Sequence, residues 1–340
     1  MPEARAHRLP HRLRQSPETD PRPDTGKTDK EEVMREPETI ADFDPEEIDV
    51  QAVDGYHHGG NRFSASFELS DPDDEFSRSY LLEIELGATI RFNARLQIED
   101  AIRSHVSFGP QDHVALELGG IIHDLPPGSA SRTELPEGAL TRLWAPSRDR
   151  IFAIGDLGVS YLRERGQWGQ LETFDEAVLN DIHGRDGSPV YCAGDRGLLL
   201  RLDGRRWNRI DVGVEENFNA VLAGPQGEVY LGGANGAAYE LRDSQLIALK
   251  ADEVDYYDIC EFRGKRYWSD MSYGVSVQKG RELVPLLETE QGFTMNATEE
   301  FLVVAGWHEF FLFDGTDWSG FEMGYDGNIF LRTVDINNYR

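Results

Sequence analysis

A chain of 340 residues exceeds an average domain, although one all-β domain with an added tail can reach this length. Its 39% hydrophobic and 28% charged residues are sufficient to build a buried core. The formal net charge of −28 disfavours nucleic acid and anionic membranes as partners and favours encounter with basic ones.

Residues 1–54 are predicted to form a disordered acidic tail. They are rich in Pro, Asp, Glu, Lys and Thr and show almost no aliphatic periodicity, so they cannot offset the entropy of ordering. The tail is either a solvated segment or an arm that folds on contact with a partner. Its early arginines are not followed by an apolar segment of signal-peptide or membrane-span type. We therefore expect a cytoplasmic protein whose folded domain spans residues 55–340.

Three strands are predicted before the repeats begin, over residues 63–69, 80–86 and 89–98. An acidic run at residues 71–75 separates the first two. It lacks the D-x-D-x-D-G order of a calcium loop, so we interpret it as a solvated hairpin loop.

From about residue 103 onward, one strand-and-turn pattern recurs about every 38 residues. Residues 189–207 illustrate it, with an apolar strand, a Gly-flanked turn, a second strand, a second Gly turn and an aromatic residue. The same order appears at residues 150–168 and 228–241. The second glycine of the first turn marks the period, at Gly120, Gly158, Gly197, Gly236 and Gly274.

Each repeat contains four short strands, and such units with a period near 40 are typical of β-propeller blades. Six units begin near Ser104, Thr141, Asn180, Phe218, Tyr257 and Phe293. We predict an all-β fold, a propeller of seven four-stranded blades closed by N- and C-terminal strands. The seventh blade would combine the early strands with a C-terminal strand at residues 328–336, which would protect the sheet edges.

With these turns and this period, the repeats resemble the bacterial members of the broad WD, YVTN and BNR-like β-propeller superfamily, over about residues 60–340. They lack the repeated Trp-Asp ending of WD repeats and the Ser-x-Asp-x-Gly-x-Thr-Trp box of sialidase-type repeats. The resemblance implies the fold and leaves the function open.

Residues that could carry chemistry are sparse. Cys192 and Cys260 each lie in an apolar, strand-like run and are predicted to be buried core thiols. The nine histidines are scattered, and no nucleotide-binding, zinc-protease or nucleophile-elbow motif occurs. The sequence therefore predicts no catalytic residues, no metal site and no cofactor.

Propeller geometry brings distant residues to one face, because the loop leading into the innermost strand and the turn between the second and third strands share that face. Acidic residues stand beside aromatic ones at these positions. They are either anchors that pair with Arg or Lys side chains of a partner or solvated charges next to aromatic residues that cap the strands. The predicted partner-binding residues are Asp181, Glu215, Glu216, Phe218, Asn219, Asp255, Tyr256, Tyr257, Asp258, Phe293, Tyr273, Trp307 and His308.

The first functional hypothesis is a monomeric, non-enzymatic interaction propeller that binds a basic protein. It could act as an inhibitor or immunity protein of a bacterial toxin, or as an assembly scaffold. The alternative is a propeller hydrolase or lyase acting on a sugar or small ligand at the central opening. In a third version the tail alone recruits the partner.

Overall fold

The computed structural model describes residues 39–339 except 137–138, 175–176, 186–188 and 290. Its strands form seven antiparallel sheets, each built from consecutive strands, and neighbouring sheets pack into a closed ring. The predicted seven-bladed propeller is confirmed. The predicted tail lies, up to residue 38, outside the described residues. No helix in the described part of the chain is long and apolar enough to cross a membrane.

Strands are numbered in chain order, and the first strand of each blade is the innermost. Blade 1 contains β1 (Asp49–His57), β2 (Arg62–Ser70), β3 (Ser77–Glu85) and β4 (Arg91–Ile98). Blade 2 contains β5 (Ile102–Gly109), β6 (Asp112–Glu117), β7 (Ile121–Leu125) and β8 (Ser131–Glu134). Blade 3 contains β9 (Leu140–Ser147), β10 (Arg150–Gly155), β11 (Ser160–Glu164) and β12 (Gln167–Gln170). Blade 4 contains β13 (Leu179–His183), β14 (Tyr191–Gly194), β15 (Leu198–Asp203) and β16 (Arg206–Ile210).

The remaining blades follow the same order, and the last has an additional strand. Blade 5 contains β17 (Phe218–Ala223), β18 (Val229–Gly233), β19 (Ala238–Arg242) and β20 (Gln245–Ala248). Blade 6 contains β21 (Tyr256–Phe262), β22 (Lys265–Asp270), β23 (Gly274–Lys279) and β24 (Glu282–Glu288). Blade 7 contains β25 (Met295–Ala297), β26 (Leu302–Ala305), β27 (Glu309–Phe313), β28 (Trp318–Tyr325) and β29 (Ile329–Thr333). Short 3-10 helices lie at Ile40–Asp42, Pro45–Glu47, Asp156–Gly158, Ala234–Gly236 and Ile336–Asn338.

The ring closes differently from the prediction of a shared blade. Blade 1 uses only N-terminal strands, because its innermost strand is β1, most of which the sequence assigned to the tail. The predicted C-terminal strand forms β29, which pairs with β28 as a fifth, outermost strand of blade 7. The tail prediction failed at β1 because acidic residues, Asp49 and Asp54, interrupt its apolar pattern and Asp is normally depleted in strands.

Blades 1 and 7 close the ring through packing and hydrogen bonds between separate sheets. The Ala52 backbone N–H donates to Trp307 O at 2.6 Å, and the Thr294 hydroxyl donates to Val53 O at 2.7 Å. Gly55 allows the close approach, since a Cβ there would lie 2.5 Å from the Phe310 ring. The core under this contact includes Phe67 and Phe310, whose ring centroids are 5.2 Å apart.

Burial is greatest in the second strands of the blades and lowest at the rim. Residues 151–154 of β10 are all inaccessible to solvent, because both faces of an inner strand are covered by neighbouring blades. The outermost strand β8 is exposed along its whole length. Cys192, as predicted, is buried, whereas Cys260 is partly exposed.

Candidate functional site

The upper face is defined here as the one that carries the loops leading into the innermost strands and the turns between the second and third strands. Among the described residues, five large hydrophobic side chains are exposed, and four of them lie on this face. They are Leu118, Leu157, Tyr257 and Tyr273; the fifth, Leu286, lies on the outermost strand of blade 6. These four come from blades 2, 3 and 6, and exposed apolar residues on one face are a feature of interaction surfaces.

Leu157 is the least expected of these residues. It occupies the turn between β10 and β11, is 65% exposed and has a φ of 57°. The corresponding turn residues of the next two blades, Arg196 and Asn235, share this left-handed conformation, with a φ of 54° each. Left-handed geometry is unfavourable for Leu and tolerated by Asn. An exposed Leu at such a position therefore has no advantage for folding, which suggests selection for contact.

A row of aromatic rings crosses the upper face at blades 6 and 7. The rings of Tyr257 and Phe293 have centroids 6.4 Å apart, and Phe293 and Trp307 are 6.2 Å apart. The indole Nε1 of Trp307 donates to Asp49 Oδ1 at 3.1 Å, which holds the ring against blade 1. Tyr273, 53% exposed, lies in the turn that joins β22 to β23 on the same face.

Carboxylates lie in the upper-face loops that lead into blades 5 and 6. The loop between β20 and β21 contributes Asp252, Glu253 and Asp255, and the loop between β16 and β17 contributes Asp211, Glu215 and Glu216. The described loops of the upper face contain far fewer basic residues than acidic ones. This surface therefore combines aromatic contact area with negative charge, a combination suited to basic side chains.

Three aspartates lie at equivalent positions of the innermost strands of blades 1, 4 and 6. Each connects its own blade to the next one by a hydrogen bond. Asp54, Asp181 and Asp258 each use Oδ2 to accept a backbone N–H of the next blade's innermost strand, from His105, Val221 and Met295, respectively, each at 2.8 Å. In β13 and β21, the aspartate follows one extra, bulged residue, which redirects the side chains after it.

Arg142 of β9 joins the three aspartates at the centre of the ring. Its guanidinium lies 3.3 Å from Asp181, 3.4 Å from Asp258 and 3.9 Å from Asp54. Burial raises the pKa of all three carboxyls, that of Asp181 to about 6, and Arg142 opposes the rise. Although burial alone would lower it, the pKa of Arg142 is raised by the charges of Asp181, Asp258 and Asp54.

Arg142, Asp181 and Asp258 also line a cavity of about 320 Å³ between the innermost strands. Trp144, His183 and Cys260 are among the lining residues. Arg185 crosses from blade 4 to donate to Glu261 Oε2 of blade 6 at 2.7 Å. The side chains around the cavity thus bond one another across the ring.

The predicted partner-binding residues fall into two groups. Asp181 and Asp258 belong to the central cluster, while Phe218 and Tyr256 are buried in the apolar core, so these four do not form exposed surface. The others lie in upper-face loops or at strand starts and are at least partly exposed, namely Glu215, Glu216, Asn219, Asp255, Tyr257, Phe293, Tyr273, Trp307 and His308.

Sequence reasoning missed Arg142, Asp54, Leu118 and Leu157. A lone Arg inside a strand-like run has no local signal of its three partners, which are distant in the chain. For Leu157 a signal was present, because the repeat alignment places Leu in a turn column where other blades have Arg or Asn.

Comparisons with known proteins identify the fold. No family model and no curated protein matches the chain. Among solved structures, the WD40 β-propeller domain of Doa1 is similar with a TM-score of 0.62 at 9% identity, covering 76% of this chain and 90% of that one. A structure of YCF48 bound to D1 peptide gives 0.58 at 12% identity, with 78% and 95% covered. Saccharomyces cerevisiae Sqt1 gives 0.56 at 12% identity, with 86% and 98% covered.

At such low identity these likenesses concern the fold alone. They agree with the seven consecutive four- or five-stranded sheets that close into a ring around Arg142. By its architecture, the chain is a seven-bladed β-propeller.

Proposed function

We propose that this chain is a non-enzymatic interaction protein that binds a basic segment of a partner protein on its upper face. The observation that carries the proposal is the exposure of Leu118, Leu157, Tyr257 and Tyr273 on that one face. The carboxylates of the upper-face loops supply charge for Arg or Lys side chains, and the aromatic row supplies contact area. Of the similar folds, YCF48 is described as bound to a peptide.

The carboxylates at the centre of the ring support binding over catalysis. A hydrolase or lyase at the central opening would need carboxyl groups available to a substrate. Asp54, Asp181 and Asp258 instead accept backbone N–H groups and face Arg142. These bonds connect neighbouring blades, so the three aspartates have a structural role in stabilising the ring. Inhibition of a toxin and scaffolding of an assembly both remain compatible with the proposal.

Two neutral substitutions on the upper face test it. We expect Leu157→Asn combined with Tyr273→Ser to weaken partner binding at least tenfold, because exposed apolar and aromatic anchors carry most binding energy at interfaces. Partners copurified with the intact chain would be identified by mass spectrometry, and their affinities for purified variants measured by interferometry. Leu286→Asn is the matched control, since this exposed Leu lies outside the upper face. Equal affinity of both variants would refute the surface.

A charge test addresses the basic partner. Reversal of the exposed residues Glu215, Asp252 and Glu253 to Lys should slow association and reduce its dependence on salt, because attraction to a basic partner would be lost. Reversal of three exposed carboxylates on the opposite face, Asp149, Glu299 and Glu300, is the control with the same change in charge. An unchanged association rate at low salt would contradict a basic partner while leaving the apolar surface intact.

Leu157 alone offers a test with opposite signs. Leu157→Asn should increase the free energy of unfolding by about 1 kcal/mol, because Asn tolerates the left-handed conformation. The same variant should bind the partner several-fold more weakly. Urea unfolding and a binding titration on one sample measure both. If Leu157→Asn left the affinity unchanged, or lowered the free energy of unfolding, Leu157 would not be a contact residue held at a cost in stability.

A further inference from the structure

Blade 7 brings a histidine and two glutamates together at its upper end. Glu309 begins β27 and lies directly opposite Glu322 of β28 in the sheet register. His308 precedes Glu309 in the turn that follows β26. Strand pairing makes the two glutamates neighbours although they are separated in sequence. The sequence around them contains no metal-binding motif.

Two of the three separations between their ligand atoms match those of a tetrahedral metal site. His308 Nε2 lies 3.3 Å from Glu309 Oε1 and 3.2 Å from Glu322 Oε2, and the three atoms all lie within 4.8 Å of one another. Around Zn²⁺, with bonds of about 2.0–2.1 Å, tetrahedral ligand atoms are roughly 3.3–3.4 Å apart. Within the part of the chain that the structure describes, this is the one group of three metal-ligating side chains so close together.

We propose that His308, Glu309 and Glu322 bind a divalent transition-metal ion of the Zn²⁺ class through Nε2 and two carboxylate oxygens. One imidazole and two carboxylates suit such an ion better than Ca²⁺, which prefers an all-oxygen shell. The two carboxylates oppose the charge of the ion, and Arg332 pairs with the other oxygen of Glu322. His308 is the most exposed of the three side chains, so water or another donor has access to an ion bound there.

The surroundings hold the proposed ligands in place. The Tyr339 hydroxyl donates to Glu309 Oε1 at 2.7 Å, and the His308 backbone N–H donates to Glu309 Oε2 at 3.2 Å. Arg332, opposite Glu322 on β29, bonds Glu322 Oε1 and leaves Oε2 facing His308. Such outer bonds orient ligands and commonly change metal affinity 10–100-fold. The fifth strand of the blade, absent from the other six, thus supplies an orienting group.

A metal-free interpretation of the same geometry is an ion pair between protonated His308 and the two carboxylates, and titration distinguishes the two. Calorimetry with ZnCl₂ should find one site per chain that is tighter than any background binding to the acidic surface. Co²⁺ as a second probe should give the intense visible absorption of a four-coordinate site. Fluorescence of Trp307, adjacent in sequence to His308, provides an independent readout of occupancy.

Glu322→Gln should weaken Zn²⁺ binding at least tenfold, and His308→Ala should abolish the four-coordinate Co²⁺ spectrum. Glu282→Gln is the matched control, because Glu282 is also an ion-paired outer-strand carboxylate, with Lys250 at 2.5 Å. Both variants remove one negative charge and leave every other histidine in place. Thermal unfolding checks that each is folded. Equal Zn²⁺ affinity of the two Glu→Gln variants, or weak binding only at many sites, would overturn the proposal. Neither outcome depends on whether a partner protein binds the upper face.

Discussion

Arg142→Met is expected to lower the free energy of unfolding by about 3–5 kcal/mol, the loss typical of removing one partner from a buried ion pair. Methionine keeps the unbranched stem but leaves Asp54, Asp181 and Asp258 facing one another without a counter-charge. This loss is a large fraction of a typical total stability of about 5–15 kcal/mol. Urea unfolding followed by tryptophan fluorescence measures it.

The same variant should regain stability relative to the wild type as the pH falls from 7 towards 5. The pKa of Asp181 is already raised by burial to about 6, and loss of Arg142 removes the charge that opposes the rise. In that window the folded variant binds more protons than the unfolded chain, so acidification favours the folded state.

Arg206→Met is the control for the first prediction. Arg206 pairs with Glu172 at 3.1 Å, but both side chains are mostly exposed, and such pairs contribute about 0–1 kcal/mol. If the two variants lost equal stability, Arg142 would not have the central role that its three contacts indicate.

Acid sensitivity is the second large effect, and it originates where blades 1 and 2 meet. His58 and His113 share the Ser107 hydroxyl there, at 3.3 Å from His58 Nε2 and 2.7 Å from His113 Nδ1, and His105 Nδ1 lies 2.8 Å from the Ser66 hydroxyl. Nε2 of both His105 and His113 is buried without a hydrogen-bond partner. Burial lowers the pKa of His58 and His113 to about 4 and that of His105 well below its ordinary value.

The free energy of unfolding should therefore decrease as the pH falls from about 6.5 to 4, because the unfolded chain binds protons that the folded histidines reject. For His113 the loss at pH 4 is on the order of 3 kcal/mol, at about 1.4 kcal/mol for each pKa unit. Nearby cations, Arg62, Arg95 and Arg148, disfavour protonation further. The raised carboxyl pKa values at the centre of the ring act in the opposite direction.

His113→Asn isolates the histidine contribution. The amide can keep the bond to Ser107, and the variant no longer titrates at this position. Its stability at pH 7 will fall because ring volume is lost, so the informative quantity is the slope of stability against pH. We expect a flatter slope than in the wild type between pH 6.5 and 4, measured by urea unfolding at each pH. If the slopes of stability against pH were equal for the variant and the wild type, His113 would not contribute to the acid sensitivity.

Blade 4 illustrates what could be predicted from sequence. The turn column at Gly197 has a positive φ of 66°, and a Cβ there would lie 1.8 Å from Val214 O, so glycine is required by the local geometry. Because the same turn recurs in successive blades, glycine recurs at a regular spacing in the sequence. The start of a blade near Asn180 was accordingly predicted within one residue of the observed start of β13 at Leu179.

The site was predicted less completely than the fold. Tyr257, Tyr273, Phe293 and Trp307 were expected on one face from strand order alone, and the structure places them in upper-face turns or at strand starts. Asp181 and Asp258 looked like equally good surface residues, because an acidic residue next to an aromatic one has the same local pattern whether it is exposed or paired. Their burial depends on Arg142, which lies 39 and 116 residues away in the chain.

The sequence by itself determined that this protein is a propeller, how long its blades are and which loops share a face, because these properties follow from local turns and strand periodicity. Only the tertiary structure decided that β1 completes the first blade, that a fifth strand ends the last one, and that three aspartates meet one arginine. The physical reason is that burial, charge pairing and exposure are set by contacts across the ring. Burial of a charged strand residue such as Asp54 is unfavourable unless a partner that is distant in the chain, here Arg142, lies next to it.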